Sequence, residues 1–291
     1  MRTQEIDFFI DYNKTRVNTF LEIWSNTHLQ DYQLYASIRY SLLSQGKRIR
    51  ALLFYALGSI FKIARGKLDV VAASIEMLHT FSLIHDDLPD MDNDDERRGQ
   101  PSCHVKFGNA TAILAGNALQ NASFAVLNSD FLSADMIAKI TSALSETNFK
   151  ILEGQNLDLS QPEKPFSKQD FYDLHYLKTA ALFELTAKII IIIKGKTLRQ
   201  EEKDALHSFA KNFGLAFQMQ DDINDVTKDA KNPVAKNYAV TFGIEAATQE
   251  LSIITKKAFD SILRQYWPTA ACNNARALLV SGTTPTTNVI P

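Results

Sequence analysis

Ile75-Glu76-Met77-Leu78-His79-Thr80-Phe81-Ser82-Leu83-Ile84-His85-Asp86-Asp87-Leu88-Pro89-Asp90-Met91-Asp92 begins as an apolar run and ends as an acidic one. The segment from Ile75 to Ile84 is of the kind a protein interior takes up. Acids then fill seven of the eleven positions from Asp86 to Glu96, with Arg97 and Arg98 directly behind. Like charges spaced i,i+4 cost a helix about 0.2–0.5 kcal/mol each, so a cluster this dense repels itself. Most charge runs are solvated faces. Carboxylates at the mouth of a buried helix nevertheless need a counterion, and a hard cation with oxygen ligands supplies one. The alternation of Asp90, Asp92 and Asp94 invites comparison with a calcium loop. That comparison fails, because Asp95 stands at the glycine position and Pro101 at the terminal glutamate. A magnesium site that keeps waters and shares its metal with a phosphate ligand fits better.

On a helix, His79, Leu83, Asp86 and Asp87 lie on one face over two turns. A lone histidine on an apolar helix is usually core, but this one sits two turns below an aspartate pair. Pro89 disturbs the helix, so spacing leaves both Asp90 and Asp92 open as third carboxylate. A second set lies downstream, where Gln218, Asp221, Asp222 and Asp225 again share a helical face. If the two helices face one another, their carboxylates make two jaws around a magnesium-bound diphosphate. Gly46-Lys47-Arg48-Ile49-Arg50, with Arg97 and Arg98, adds the cations that phosphate oxygens need. Lys178-Thr179 sits mid-helix between Leu177 and Leu182, where a lysine either snorkels or faces a polar cavity.

Glycine and proline are scarce, at 11 and 8 of 291 residues, and apolar residues recur at three- and four-residue spacing. The pattern predicts helices at 4–24, 31–44, 48–62, 69–88, 109–128, 133–159, 167–193, 198–228 and 241–266, and no sheet. Ser167 with Asp170, and Thr197 with Gln200, match the capping box. One domain is expected over 1–280, with a loose Thr/Pro-rich tail over 281–291. A balance of 31 basic and 33 acidic residues, net −2, favours neither nucleic acid nor anionic membrane. Cys103 and Cys272 have no paired spacing, which fits a reducing compartment. Residues 1–10 carry acids and no apolar core of a signal peptide. The greasiest run, Ile189 to Ile193, falls far short of the roughly 20 residues a membrane span needs. A cytoplasmic protein without membrane insertion is expected.

Two acidic sets plus a separate basic cluster make a resemblance specific. The chain resembles a short-chain trans-prenyl diphosphate synthase of the bacterial farnesyl diphosphate synthase type. The resemblance is carried by Gly46 to Arg50, Ser82 to Asp92, Arg97-Arg98-Gly99, His104 to Gly108, Gly154-Gln155, Lys178-Thr179 and Phe217 to Asp222, in the family's order. It implies an all-α isoprenoid synthase fold, with long antiparallel helices around a central cavity, and a homodimer. The implied substrates are isopentenyl diphosphate and an allylic diphosphate, with several magnesium ions per site. Asp86, Asp87 and Asp92, with Asp221, Asp222 and Asp225, would bind the metal. Arg97 and Lys236 would meet the allylic diphosphate; Lys47, Arg50, His79 and Arg98 would hold isopentenyl diphosphate. Lys178, Thr179 and Gln218 would line the reaction centre. Phe81 and Ser82, five and four residues before Asp86, would floor the cavity and set the product to farnesyl diphosphate.

Three positions depart from the family's pattern. Asn117 stands where an aspartate is usual, and Asn237 follows Lys236 in a shortened segment. After Arg276 nothing is charged, and weaker isopentenyl diphosphate binding is the expectation. A geranyl or geranylgeranyl diphosphate synthase differs only in where growth stops. A terpene cyclase shares the ionisation but lacks a second diphosphate site, which Lys47, Arg50 and Arg98 supply here. A non-catalytic partner subunit would have lost one carboxylate set, and a purely structural helical protein leaves the ordered polar residues unexplained.

Overall fold

The computed structural model describes residues 2–160, 164–231 and 236–263. Expectations that fall on 264–291, including Cys272, Arg276 and the tail, lie outside the described residues. The fold is all-α. The sequence reading expects one domain over 1–280; by their contacts the residues cluster into two compact units, Met1–Asn148 with Ile192–Lys194, and Phe149–Ile191 with Gly195–Pro291.

The first unit holds α1 (Arg2–Leu29), α2 (Tyr35–Leu42), α3 (Ile49–Ile60), α4 (Arg65–Asp86), α5 (Cys103–Phe107), α6 (Asn109–Ala125) and the start of α7 (Ala134–Leu159). Helix α4 is buried on every side over most of its length. Val70, Val71, Ala72, Ile75, Met77, Leu78, Phe81 and Ile84 are all buried, as expected of an interior helix rather than an amphipathic surface one. Each large side chain so removed from water contributes about 1.5–3 kcal/mol. Its main partner is α6, with α3 and α1 also against it. The helix stops at Asp86, with Asp87 as C-cap, just ahead of Pro89. A two-residue antiparallel pairing, β1 (Glu96–Arg97) with β2 (Gln100–Pro101), follows. Two residues per strand leave no alternation to read, so neither this hairpin nor the short α5 was visible in the sequence.

The second unit carries the rest of α7, then α8 (Lys168–His175), a π-turn (Tyr176–Ala180), all but the end of α9 (Ala181–Lys194), α10 (Gln200–Asp229), α11 (Tyr238–Phe242) and α12 (Ile244–Leu263). The expected helix over 167–193 is therefore continuous but wound wider at its centre, and the one expected from 241 is interrupted at Gly243, where φ is 92°. Ser167 and Asp170 form the expected capping box. The other one is corrected: Arg199, not Thr197, is the N-cap of α10, and the Glu202 carboxylate accepts its amide at 2.9 Å. Phe171, Phe183, Phe209, Phe213 and Tyr238 are fully buried and form the aromatic core.

Two glycines let neighbouring backbones close on the π-turn. A Cβ on Gly154 of α7 would stand 2.4 Å from the Lys178 amide nitrogen, and one on Gly214 of α10 would stand 2.5 Å from the Ala180 Cα. Those neighbours are main chain, which cannot swing aside. Gly214→Ala should lower stability by about 1–3 kcal/mol through overpacking, read as a drop in the urea or thermal midpoint; an unchanged midpoint would contradict so close an approach.

Candidate active site

In the first unit the chain doubles back after Pro89. The Asp92 amide donates to the Asp86 carbonyl at 2.8 Å, so Asp92, not Asp90, returns to the end of α4. Asp86 is half-buried and Asp92 exposed, which leaves both on the wet side. Asp87 is different. It is 2% exposed, and its Oδ1 accepts from Arg97 Nε at 2.9 Å and also from Arg97 Nη2. Burial pushes the Asp87 carboxyl up despite the Arg97 cation, with the nearby Asp94 and Asp92 charges adding to the rise. Arg97 also donates to Asp94 at 3.2 Å, and the His104 ring nitrogen lies 3.7 Å from Asp95. These two acids, which look like idle loop charge in the sequence, have protein partners.

The basic loop is built around Arg48, which the sequence places among the loop's cations without a role of its own. Arg48, the N-cap of α3, has a left-handed φ of 53°, a conformation that costs a non-glycine residue free energy unless its surroundings enforce it. They do so through its buried guanidinium. That group donates to Asn18 Oδ1 at 2.9 Å, to Glu76 at 3.1 Å and to the Leu42 carbonyl at 2.6 Å. Glu76 in turn accepts the Ala51 amide at 3.2 Å. So anchored, the loop leaves Lys47 exposed and sets Arg50 Nη1 3.0 Å from His79 Nε2. Arg98 donates to Ser44 at 2.9 Å, and burial with the Arg48 and Arg97 charges lowers its affinity for its own proton. Phe81 is buried edge-on to His85 at 4.9 Å, and the Ser82 hydroxyl is turned back onto the His79 carbonyl. Asn117 is exposed on α6.

In the second unit the π-turn presents Lys178 and Thr179, and such widened turns recur at functional sites. Lys178 Nζ is ion-paired with Asp158 near the end of α7. Lys236 Nζ donates to the Asp158 carbonyl and, at 2.7 Å, to the Ser160 carbonyl, so both lysines gather where the α7 dipole is negative. Burial and the neighbouring Lys178 charge lower the Lys236 pKa, while Asp158 raises it. Thr179 Oγ1 donates to Gln218 Oε1 at 2.7 Å. Along α10, Asp221 is half-buried and Asp225 exposed, but Asp222 is turned inward at 4% exposure. Its Oδ1 accepts from Gln218 Nε2 at 3.1 Å and its Oδ2 from the Tyr238 amide at 2.8 Å. Asp158 and His175 escaped the sequence reading, and the structural role of Arg48 did too. Only the Gln218–Asp222 bond had a readable signal, since an i,i+4 Gln–Asp pair on a helix is a known hydrogen-bonding spacing.

Among the described residues no three His, Cys, Asp or Glu side chains form a ready metal cage. Magnesium does not require one: it keeps waters and takes one or two carboxylates together with substrate phosphates. Asp86 and Asp92, and separately Asp221 and Asp225, have the exposure for that. Asp87 and Asp222, expected beside them as ligands, are buried and met by protein donors.

Burial holds the His79 imidazole well below its usual pKa, and the Arg50 and Arg98 cations push it the same way. The folded protein therefore keeps His79 neutral, while the unfolded chain protonates it near about pH 6.5. Stability from this source is complete above that pH and is lost as pH falls. Between about pH 7 and about pH 5.5 the unfolding free energy should fall more steeply for the unaltered protein than for His79→Gln, by up to about 1.4 kcal/mol per pH unit. Parallel slopes in urea titrations would contradict the neutral assignment.

Comparison with known proteins bears on this geometry directly. The polyprenyl synthetase family model matches residues 31–240. The farnesyl diphosphate synthase of Escherichia coli is 41% identical over 250 residues, 80% of this chain and 83% of that one. A geranyltransferase from Legionella pneumophila superposes with a TM-score of 0.88 at 34% identity, over 97% of this chain and 99% of that one. A geranyltransferase from Helicobacter pylori, complexed with magnesium and isoprenyl diphosphate, gives 0.78 at 28% identity, over 94% and 97%. The chain belongs to the polyprenyl synthetase family.

Proposed function

We propose that this protein is a trans-prenyltransferase that joins isopentenyl diphosphate to dimethylallyl or geranyl diphosphate and makes farnesyl diphosphate. The observation that carries the reading is the division of charge by role. Carboxylates with open faces stand at the ends of α4 and α10, and cations are anchored separately on the Lys47–Arg50 loop, at Arg97–Arg98 and at Lys178 with Lys236. Membership of the family and the likeness to enzymes named for this reaction support it.

Asp86, Asp92, Asp221 and Asp225 hold magnesium in this reading, and the two units act as one catalytic domain. When bound, magnesium neutralises the allylic diphosphate so that it can leave. Arg97, fixed by Asp87, adds a fork of donors to the same group. Lys178 and Lys236 exchange Asp158 and the α7 carbonyls for phosphate oxygens. Lys47, Arg50, His79 and Arg98 hold isopentenyl diphosphate alongside, and that fixed placement makes the encounter effectively unimolecular. The neutral His79 accepts from Arg50 rather than competing with it for phosphate. As the allylic carbon–oxygen bond breaks, its electron pair leaves with diphosphate. The isopentenyl double bond attacks the carbocation and forms the new carbon–carbon bond. A proton then passes to the departing diphosphate, restoring an alkene. Thr179 and Gln218 turn oxygen dipoles toward the cation.

Phe81 sets product length as the floor beneath Asp86, about 7.5 Å deeper at 1.5 Å per residue. The reading extends to a cytoplasmic homodimer. Phe149 and Leu152 of α7, both exposed, support the dimer, which should sediment at twice the chain mass; a monomer would count against it. No helix among the described residues is long and apolar enough to cross a membrane.

Incubation with isopentenyl and geranyl diphosphates and magnesium should yield farnesyl diphosphate, and Phe81→Ala should yield longer chains. Absence of any condensation product would falsify the function, a cyclic hydrocarbon would favour a cyclase, and unchanged product length in the variant would remove Phe81 from its role.

A further inference from the structure

We infer that Asp222 is a positioning residue rather than a magnesium ligand: its buried carboxylate dictates which end of the Gln218 amide faces the reacting cation. This rests on the prenyl transfer proposed above. The three carboxylates of Asp221-Asp222-Ile223-Asn224-Asp225 have unlike surroundings. Asp221 is half-buried and Asp225 exposed, while Asp222 is buried. Its two oxygens are met by the Gln218 amide nitrogen at 3.1 Å and the Tyr238 backbone amide at 2.8 Å. His175 Nε2 comes within 3.1 Å of the second oxygen, though without good hydrogen-bond alignment. The backbone is pinned as well, since Asn237 Nδ2 donates to the Asp222 carbonyl at 2.8 Å.

An ionised carboxylate only accepts hydrogen bonds, whereas a glutamine amide has one accepting end and one donating end. Facing Asp222, Gln218 must present its nitrogen. Its oxygen is thereby turned to Thr179, whose hydroxyl donates to it at 2.7 Å. Thr179 cannot enforce this alone, because a hydroxyl both donates and accepts. Reversing the amide would set Oε1 against the carboxylate and leave a buried acceptor opposed by another. The orientation matters because the oxygen end of the amide dipole stabilises a nearby carbocation and the nitrogen end repels it. Preoriented dipoles of this kind act without reorganising at the moment of reaction. His175, three residues before Lys178, joins the chain Thr179–Gln218–Asp222 at its far end and crowds the carboxylate into place.

Asp222→Asn replaces an acceptor-only group by an amide whose oxygen stays on the Tyr238 amide, so its NH2 faces residue 218 and favours the reversed Gln218 amide. It should lower kcat on the order of 10–100-fold, with the magnesium concentration at half-maximal rate and both KM values within about twofold. Asp221→Asn, measured beside it, should raise half-saturating magnesium. The charge-preserving swap Asp222→Asn with Gln218→Glu offers oxygen on both sides of residue 218 and should recover much of the lost kcat, which a merely damaged helix would not. Should Asp222→Asn fail to fold, as read from its circular dichroism and melting, His175→Gln carries the comparison. That change should lower kcat with half-saturating magnesium unmoved. The inference is overturned if Asp222→Asn shifts magnesium dependence as Asp221→Asn does, if its kcat is unchanged, or if the folded swap variant recovers nothing. It is also overturned if His175→Gln, where it stands in, leaves kcat unchanged or shifts magnesium dependence. Any of these leaves the unaltered protein's prenyl transfer intact, whereas failure of the functional reading would show as no product from the unaltered protein.

Discussion

A carboxylate drawn under the surface by an apolar helix costs several kcal/mol unless donors or cations meet it, and this chain meets that demand twice. At the end of α4 the buried Asp87 is held by Arg97. On α10 the buried Asp222 is held by the Gln218 side chain and the Tyr238 amide. In each case the adjacent acid, Asp86 or Asp221, is left only half-buried. A pair of neighbouring aspartates thus divides its work. One secures the local structure and the other remains on the wet side, where it is proposed to take a cation. The nearby Asp94 and Asp92 charges add to the cost of ionising Asp87, and Arg97 offsets it.

The cations follow the same logic with the sign reversed. Left-handed backbone at Arg48 and Arg98 persists because buried or half-buried guanidinium contacts enforce it, and the resulting loop keeps Lys47 open. Around the π-turn, the backbone approaches so closely at Gly154 and Gly214 that no methyl group fits against Lys178 or Ala180. Rigid main chain here supports side chains that must exchange one partner for another. Lys178 and Lys236 rest on Asp158 and the carbonyls at the end of α7, a weaker substitute for the multiply charged phosphate they are proposed to take.

Much of this was legible in the residues alone. Three- and four-residue periodicity located every long helix, and the i,i+3,i+4 spacing of acids after apolar runs picked out both motifs. What escaped was of two kinds. Short elements such as β1, β2 and α5 have too few residues to show a period. Long-range partners such as Asp158 for Lys178, or Glu76 for Arg48, depend on tertiary contacts that spacing does not encode. The division of labour between Asp221 and Asp222 belongs to the second kind, since a helix turns adjacent residues by about 100° and only packing shows which of them is covered. Spacing alone left Asp90 and Asp92 both open; the family resemblance favours Asp92, and the return of the Asp92 amide to the Asp86 carbonyl agrees with it.

The central claim is that the exposed and half-buried carboxylates take the metal and the buried ones do not. Anomalous diffraction at the manganese edge tests it most directly, on crystals of the unaltered protein grown with manganese in place of magnesium and an allylic diphosphate analogue. The account predicts manganese density against Asp86, Asp92, Asp221 and Asp225, with Asp222 still bonded to Gln218 and the Tyr238 amide. Manganese bound directly by Asp222, with the Gln218 amide released, would contradict it.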